Sequence, residues 1–187
     1  MPDFSAKPTL RGELVTLRPV TGADAATLQR LMGDPEVSRL TGSVHSSAQT
    51  AGREYPLDQL VEVYTRWASA TDRIVWVIQE NATGRIVGES VLNDLDEPDL
   101  SCGFRIWIAG ATGRGLGTEA VRLSVAHAFA EGLHRVELEV YDFNPRARRV
   151  YEKVGFQLEG TRRQALRFDD GWVDCHVMGL LAPEWRG

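Results

Sequence analysis

The sequence has little cysteine and lacks any long uncharged apolar segment. Its two cysteines, Cys102 and Cys175, are far apart and show no CxxC spacing, so we expect reduced core thiols rather than disulfides or metal ligands. No window reaches the roughly 18 uncharged residues of a membrane span, and the amino terminus lacks a charged segment followed by an apolar run. These absences predict a cytoplasmic protein with no membrane partner and no metal.

Positive charge is also in short supply. The 187 residues contain 21 lysines and arginines against 26 acidic residues, which gives a net charge of −5 and a pI near 5.4. Nucleic-acid binding depends on a positive surface, so we expect no nucleic-acid partner and favour a basic small molecule or peptide. With 43% hydrophobic residues the chain can bury one core, and we predict a single domain over residues 1–187.

What the sequence does contain is a regular succession of apolar patterns separated by turn residues. The order predicts a mixed α/β chain, in which an antiparallel meander leads into one strand–helix–strand crossover and a terminal hairpin. The predicted strands cover residues 13–18, 74–78, 86–92, 102–108, 135–140, 156–161 and 172–181. The predicted helices cover residues 25–32, a segment with apolar positions from 57 to 67, residues 116–131, and a short segment that begins at Asn144-Pro145.

A glycine-rich turn connects the last strand of the meander to the long helix. Glycines at alternating positions let the backbone approach a ligand closely, and the start of the helix offers free N–H groups and a positive dipole end to phosphate oxygens. The turn therefore predicts a diphosphate site. Its residues are Gly113, Arg114, Gly115, Leu116, Gly117 and Thr118.

The short helix carries a second candidate group. Asn144, Ala147 and Tyr151 follow i, i+3, i+7 spacing, so they share one face and can line a single groove. Ala147 is small enough to leave room for a ligand. The alternative for Tyr151 is a half-buried ring packed on Val154 or Phe156, and Asn144 is expected to cap the helix whether or not it touches a ligand.

This order of elements resembles the GNAT superfamily of acyl-CoA-dependent N-acetyltransferases over nearly the whole chain. The two segments above carry the resemblance, together with Thr118-Glu119-Ala120, Tyr151-Glu152-Lys153-Val154-Gly155-Phe156 and the last strand. That last set is similar to the branch containing ribosomal-protein N-terminal acetyltransferases. It consists of Asp170-Gly171, Asp174, Met178, Leu180-Leu181 and Glu184-Trp185.

The resemblance implies a fold with splayed central strands and acetyl-CoA as the cosubstrate. Backbone groups near Ile106, Trp107 and Ile108 would bind the pantetheine arm, and residues 113–118 the diphosphate. The alternative for Trp107 is packing beside a sheet edge. The family usually has Gln or Arg where this chain has Thr112, so Arg114 is expected to supply the cationic contact.

The resemblance also assigns catalytic roles. Tyr151 would protonate the departing CoA thiolate, and Asn144 would lie near the pantetheine or the acetyl group. Many relatives have Ser where this chain has Ala147. Ala147 cannot donate a proton, so Tyr151 is the expected proton donor.

An attacking amine that resembles lysine, with a pKa of about 10.4, must also lose a proton. The candidate bases are Glu89, Asp142, Asp174 and His176. Any one of them can instead have a structural role, since Glu89 can face solvent and Asp174 can pair with an arginine.

The sequence says less about the identity of the acceptor than about the cosubstrate. The region 33–72, the acidic segment 93–99 and the last hairpin are expected to border it. A run of Asp94, Asp96, Glu97 and Asp99 can attract a cationic amine or simply form a solvated turn. Three arginines in the hairpin favour instead the binding of a carboxylate or an acidic acyl group. They are Arg162, Arg163 and Arg167. Both alternatives stay open.

We therefore predict an acetyltransferase that modifies a primary amine, either a protein N-terminus or a small molecule. A larger acyl donor such as succinyl-CoA and a non-catalytic acyl-CoA-binding module are the alternatives. A Rossmann oxidoreductase would need its third glycine at position 118 and parallel strand–helix units, and a phosphate-loop nucleotidase would need a following Gly-Lys-Ser/Thr. Apolar strands at a domain edge also make a homodimer conceivable.

Overall fold

The computed structural model describes residues 2–49, 55–110 and 113–187, and within them one eight-stranded mixed sheet in the order β1-β2-β3-β4-β5-β6-β8-β7. The predicted meander, crossover and terminal hairpin are confirmed. The strands are β1 (Leu10–Arg11), β2 (Val15–Pro19), β3 (Ile74–Glu80), β4 (Ile86–Asp96), β5 (Ser101–Ile108), β6 (Arg135–Tyr141), β7 (Gln157–Phe168) and β8 (Gly171–Leu181). The sequence patterns did not predict the two-residue β1, and they ended β4 and β7 too early.

The described helices are α1 (Ala25–Met32), α2 (Pro35–Leu40), α3 (Leu57–Ser69), α4 (Leu116–Ala130) and α5 (Pro145–Val154). The sequence analysis treated Asp34-Pro35 as a break and missed α2. In the structure Asp34 is an N-cap, whose carboxylate accepts a hydrogen bond from the Glu36 N–H at 2.9 Å, and Pro35 occupies the first helical position. Both residues are typical of a helix start. The pair Asp34-Pro35 can therefore mark the start of a new helix as well as the end of the preceding one.

The helices cover both faces of the sheet. On one face α4 and α5 pack over a large apolar cluster that includes Phe104, Val125 and Met178. On the other face α1 and α3 pack over a smaller cluster that includes Leu28 and Val77. No helix of the described residues is long and apolar enough to cross a membrane.

The parallel pair β5 and β6 separates soon after it forms. Its register joins Ser101 to Arg135, Cys102 to Val136 and Gly103 to Glu137, and no pair follows Gly103. Both strands continue, β5 to Ile108 on its bonds to β4, and β6 along its bonds to β8. The predicted splayed central strands are therefore present, and they leave an opening that we call the wedge.

Candidate functional site

The wedge is bordered on one side by the free edge of β5. Ala109 donates its N–H to the Val87 carbonyl of β4 at 2.9 Å. Alternate residues of a strand direct their backbone N–H and C=O groups to the same edge. The backbone groups of Trp107 therefore also face β4, whereas those of Ile106 and Ile108 face the wedge. Of the three predicted backbone contacts, the geometry favours the two at Ile106 and Ile108.

The glycine turn lies at the carboxyl end of β5 and adopts left-handed backbone angles. Gly113 has φ +79° and Gly115 has φ +81°, and a Cβ on Gly113 would meet no atom within 4 Å. Gly115 is the N-cap of α4 and has no side chain, so no side chain caps the free N–H groups of the first turn. Gly117 and Thr118 lie inside the helix, and the position of Thr112 is outside the described residues.

Arg114 extends from this turn toward the end of β3. Its guanidinium forms an ion pair with the buried carboxylate of Glu80, although the arginine side chain itself is half exposed. It also lines a cavity of about 510 Å³ together with Arg30 and Arg85. The predicted phosphate contact of Arg114 would therefore have to share the guanidinium with Glu80.

Tyr151 is buried on the α5 side of the sheet. Its ring packs edge-on against Phe104 and Phe156, with centroid distances of 6.5 and 6.0 Å, so the packing alternative is part of its role. Burial raises the pKa of the phenol well above its ordinary value, and the hydroxyl has no hydrogen-bond partner among the described residues. The proton is thus retained at neutral pH and is available to a ligand.

Asn144 and Ala147 form the start of the same helix. The Asn144 side-chain oxygen accepts a hydrogen bond from the Ala147 N–H at 3.1 Å, which confirms the predicted cap. This contact fixes the entry of α5 and leaves the amide nitrogen of Asn144 for other partners. Ala147 packs against the same apolar cluster as Tyr151.

Glu89 lies on β4 and does not face solvent, so the alternative considered for it in the sequence is wrong. The residue is 8% exposed, and one carboxylate oxygen, Oε2, is buried without a hydrogen-bond partner. Burial raises the pKa of this carboxyl, while side-chain hydrogen bonding with Tyr64 and Trp107 acts in the opposite direction. Tyr64 lies on α3, inside the segment that the sequence analysis predicted only as a helix, and its contact with Glu89 depends on packing between distant elements.

The other candidate bases have hydrogen-bond partners within the protein. His176 is buried, with Nε2 3.1 Å from Asp142 Oδ1 and Nδ1 3.0 Å from Thr161 Oγ1. Asp174 accepts the Gln164 N–H at 2.7 Å, in place of the arginine that the sequence suggested. These contacts join β7 to β8, and β8 to the residue that follows β6.

The segment 41–49 partly covers the side of the molecule where the sequence analysis expects the acceptor. It reaches the β7–β8 turn, where Asp169 donates its N–H to the His45 carbonyl at 2.9 Å and accepts the Ser47 N–H at 2.8 Å. The Phe143 ring contacts Tyr141, and the guanidinium of Arg39 lies 5.7 Å from the centre of the Phe143 ring. Of the three hairpin arginines, Arg162 pairs with Glu139. Aromatic and cationic side chains therefore both border this side.

These features fit an extended ligand that carries amides and ends in a diphosphate. Among the described residues, the backbone groups of Ile106 and Ile108 that face the wedge and the hydroxyl of Tyr151 have no partner, and Gly113 has open space where a side chain would stand. Both cysteines are buried and free, and no metal-binding group of three or more His, Cys, Asp or Glu occurs among the described residues.

Comparison with known proteins agrees with this geometry. Residues 15–157 match the family model described as an acetyltransferase (GNAT) domain. Two Bacillus subtilis relatives match over parts of the chain: YjcK, named as an N-acetyltransferase, at 44% identity over 38% of this chain, and YdaF, named as a ribosomal N-acetyltransferase, at 33% identity over 56%. The matched segments span only 40% and 58% of those relatives.

The fold is shared with solved structures over nearly its full length. The spermidine N-acetyltransferase from Vibrio cholerae, solved in complex with CoA and spermine, superposes with a TM-score of 0.80 at 21% identity, covering 92% of this chain and 98% of that one. This likeness shows the shared fold, and the family match over residues 15–157 shows the membership: the chain belongs to the GNAT family of acetyltransferases.

Proposed function

We propose that this protein is an acetyl-CoA-dependent N-acetyltransferase that transfers an acetyl group to a primary amine. The observation that carries the proposal is the end of β5–β6 pairing at Gly103, since it leaves the backbone groups of Ile106 and Ile108 free for the pantetheine amides. The glycine turn at the end of the same strand would hold the diphosphate, through the uncapped amides of α4.

Tyr151 is proposed as the general acid. Acetyl-CoA supplies an activated acyl group and a thiolate leaving group, which is easier to expel if it receives a proton. The Tyr151 phenol meets the needs of this role because its raised pKa keeps it protonated and its hydroxyl has no hydrogen-bond partner in the described part of the chain. Asn144 fixes the start of the helix that carries Tyr151 and is proposed to line the thioester end of the wedge.

Glu89 is proposed as the group that removes the proton from the amine, directly or through water. It lies on the face covered by α1 and α3, whereas Tyr151 lies on the face covered by α4 and α5. An amine that enters from one face of the wedge would meet a base there, and the thiolate would meet an acid on the other face. The reaction takes one proton from the amine and delivers one to the thiolate, so Glu89 would accept the first and Tyr151 would donate the second.

The acceptor is proposed to be either a protein N-terminus or a small-molecule amine. YdaF, named as a ribosomal N-acetyltransferase, favours the first, and the spermidine N-acetyltransferase from Vibrio cholerae favours the second. A larger acyl donor such as succinyl-CoA and a non-catalytic acyl-CoA-binding module are the alternatives. A cytoplasmic location and a homodimer stay predictions.

The test is Tyr151→Phe, which removes the hydroxyl and keeps the packed ring. We expect turnover, followed by thiol release with a panel of amines and N-terminal peptides, to fall by about 10²–10⁴-fold, the usual contribution of a general acid. Acetyl-CoA affinity, measured by calorimetry, should stay close to that of the wild type. Unchanged turnover at saturating acceptor would reject the role of Tyr151, and a wild-type protein that binds acetyl-CoA but acylates no amine would favour the binding module.

A further inference from the structure

The carboxylate of Glu119 is bound by a turn that lies more than 100 residues earlier in the chain. It accepts the N–H of Glu13 at 2.9 Å and the N–H groups of Leu14 and Val15 at 2.7 Å each. The turn passes so close that a Cβ on Gly12 would lie 2.5 Å from the Glu119 carboxyl carbon. Three charge-assisted hydrogen bonds and a glycine that makes room for them constitute a built contact.

The turn is itself held firmly against the end of β3. The Asn81 side chain donates to the carbonyls of Gly12 and Glu13 at 2.9 and 3.0 Å, and the Asn81 N–H donates to the Leu14 carbonyl at 2.8 Å. The carbonyls of residues 12–14 are thus bonded to Asn81, and the amides of residues 13–15 to Glu119. Glu119 is therefore attached to a turn that Asn81 bonds to the end of β3, rather than to an unsupported loop.

This contact acts at the start of α4, where the glycine turn becomes helical. Glu119 belongs to the first turn of the helix, one turn after Gly115. The Leu14 side chain packs at the same place, since its Cδ1 lies 3.2 Å from where a Cβ on Gly115 would stand. On the other flank the Arg114–Glu80 ion pair attaches the glycine turn to β3. The glycine turn is thus fixed to the sheet at both of its ends.

We propose that Glu119 is a positioning residue for acetyl-CoA binding, which fixes the direction of the free N–H groups at the start of α4 by holding the helix to the turn at residues 12–15. The inference rests on the proposed function, since those N–H groups are the ones assigned to the diphosphate. Glu119 itself does not touch the ligand in this account.

Charge and positioning predict opposite effects when the carboxylate is removed. A negative charge in the first turn of α4 opposes a bound anion, so its neutralisation by itself should tighten diphosphate binding. Loss of the hydrogen bonds to residues 13–15 should instead let the helix start move and weaken binding. The sign of the change in affinity therefore separates the two effects.

The experiment compares Glu119→Gln with the wild type by calorimetry with acetyl-CoA and by steady-state kinetics. We expect the dissociation constant and KM for acetyl-CoA to rise by about tenfold, as loss of one or two charge-assisted hydrogen bonds would allow, with kcat at saturating acetyl-CoA nearly unchanged. An equal or tighter dissociation constant, even with a lower melting temperature, would overturn the proposal. A wild-type protein that does not bind acetyl-CoA would instead reject the proposed function.

The matched control is Glu131→Gln at the other end of the same helix, where the carboxylate only approaches the His127 ring at 3.8 Å. It removes the same charge from α4 without a contact to the turn, so acetyl-CoA affinity should not change. A loss of affinity equal to that of Glu119→Gln would contradict the assignment to the turn.

Gly12→Ala probes the same contact from the opposite side and guards against misfolding of the Glu119 variant. The backbone of Gly12 is outside the left-handed region, so the added methyl group acts through its clash with the Glu119 carboxyl. We expect weaker acetyl-CoA binding in Gly12→Ala and little further loss when it is combined with Glu119→Gln. Fully additive losses would show that the two residues act independently and would overturn the proposal.

Discussion

At the scale of single residues, Glu89 has an environment that its side-chain type does not favour. It is a carboxyl group on a buried strand, with one oxygen lacking a partner and with Tyr64 and Trp107 as its polar neighbours. A buried polar group without a partner costs stability, so its presence is more readily explained by a role in proton transfer.

Burial of Glu89 predicts a pH-dependent cost to the fold. The pKa of the carboxyl is raised in the folded protein, so the unfolded chain loses this proton first as the pH rises. The destabilisation is absent well below the ordinary glutamate pKa of about 4.3 and grows as the pH rises above it. Glu89→Gln cannot ionise, so its melting temperature should exceed that of the wild type at pH 8 and converge with it near pH 4.

The same substitution tests the proposed base. Turnover of Glu89→Gln should fall by about 10²–10⁴-fold, and the acidic limb of the pH profile of kcat/KM should disappear. Tyr64→Phe is the companion variant, because hydrogen bonding from Tyr64 lowers the Glu89 pKa, and its loss should move the acidic limb to higher pH. If Glu89→Gln is more stable than the wild type and keeps full activity, Glu89 does not act as the base.

At the scale of elements, α4 is flanked by two glycines with nearly equal φ angles. Gly115 at the start has φ +81°, and Gly132 just beyond the end has φ +89°. Both conformations disfavour a side chain, yet only Gly115 borders the proposed diphosphate site. The two ends therefore provide a matched comparison within one helix.

Alanine at either position should lower stability by about 1–2 kcal/mol, the cost of left-handed backbone for a residue with a Cβ. Only Gly115→Ala should also weaken acetyl-CoA binding, by about tenfold if the strain is relieved by movement of the turn. Thermal unfolding and calorimetry on both variants measure the two effects separately. Equal affinity in the two proteins would argue against a diphosphate at the start of α4.

At the scale of the whole molecule, the sheet is continuous at one end of β5 and β6 and open at the other. The backbone groups of Ile106 and Ile108 face the opening, whereas those of Trp107 are directed to β4. A ligand that fills the wedge as an added strand would complete the hydrogen bonding there.

Amide hydrogen exchange followed residue by residue tests this arrangement. In the free protein the Ile106 and Ile108 amides should exchange faster than the Trp107 amide, and addition of acetyl-CoA should slow the first two selectively. The Trp107 amide serves as the internal control, because its strand partner is present with or without ligand. Exchange of Ile106 and Ile108 that is slow already and insensitive to acetyl-CoA would contradict a ligand in the wedge.

The sequence by itself determined most of what depends on neighbouring residues. The extent of α1, the Asn144 cap of α5 and the glycine turn before α4 follow from local spacing and from glycine, proline and asparagine preferences, and the structure has all three. The α2 helix was missed although its signal is local, because Asp34-Pro35 is typical both of a break and of a helix start.

Only the tertiary structure decided the features that join distant segments. The burial of Glu89 depends on α3 packing over β4, and the free edge at Ile106 depends on where β5 and β6 part, neither of which strand alternation encodes. Glu119 had a usable signal, since an acidic side chain beside an expected phosphate site needs another partner. That partner, the turn at residues 12–15, is contributed by chain more than 100 residues away, and folding alone brings it within hydrogen-bond distance.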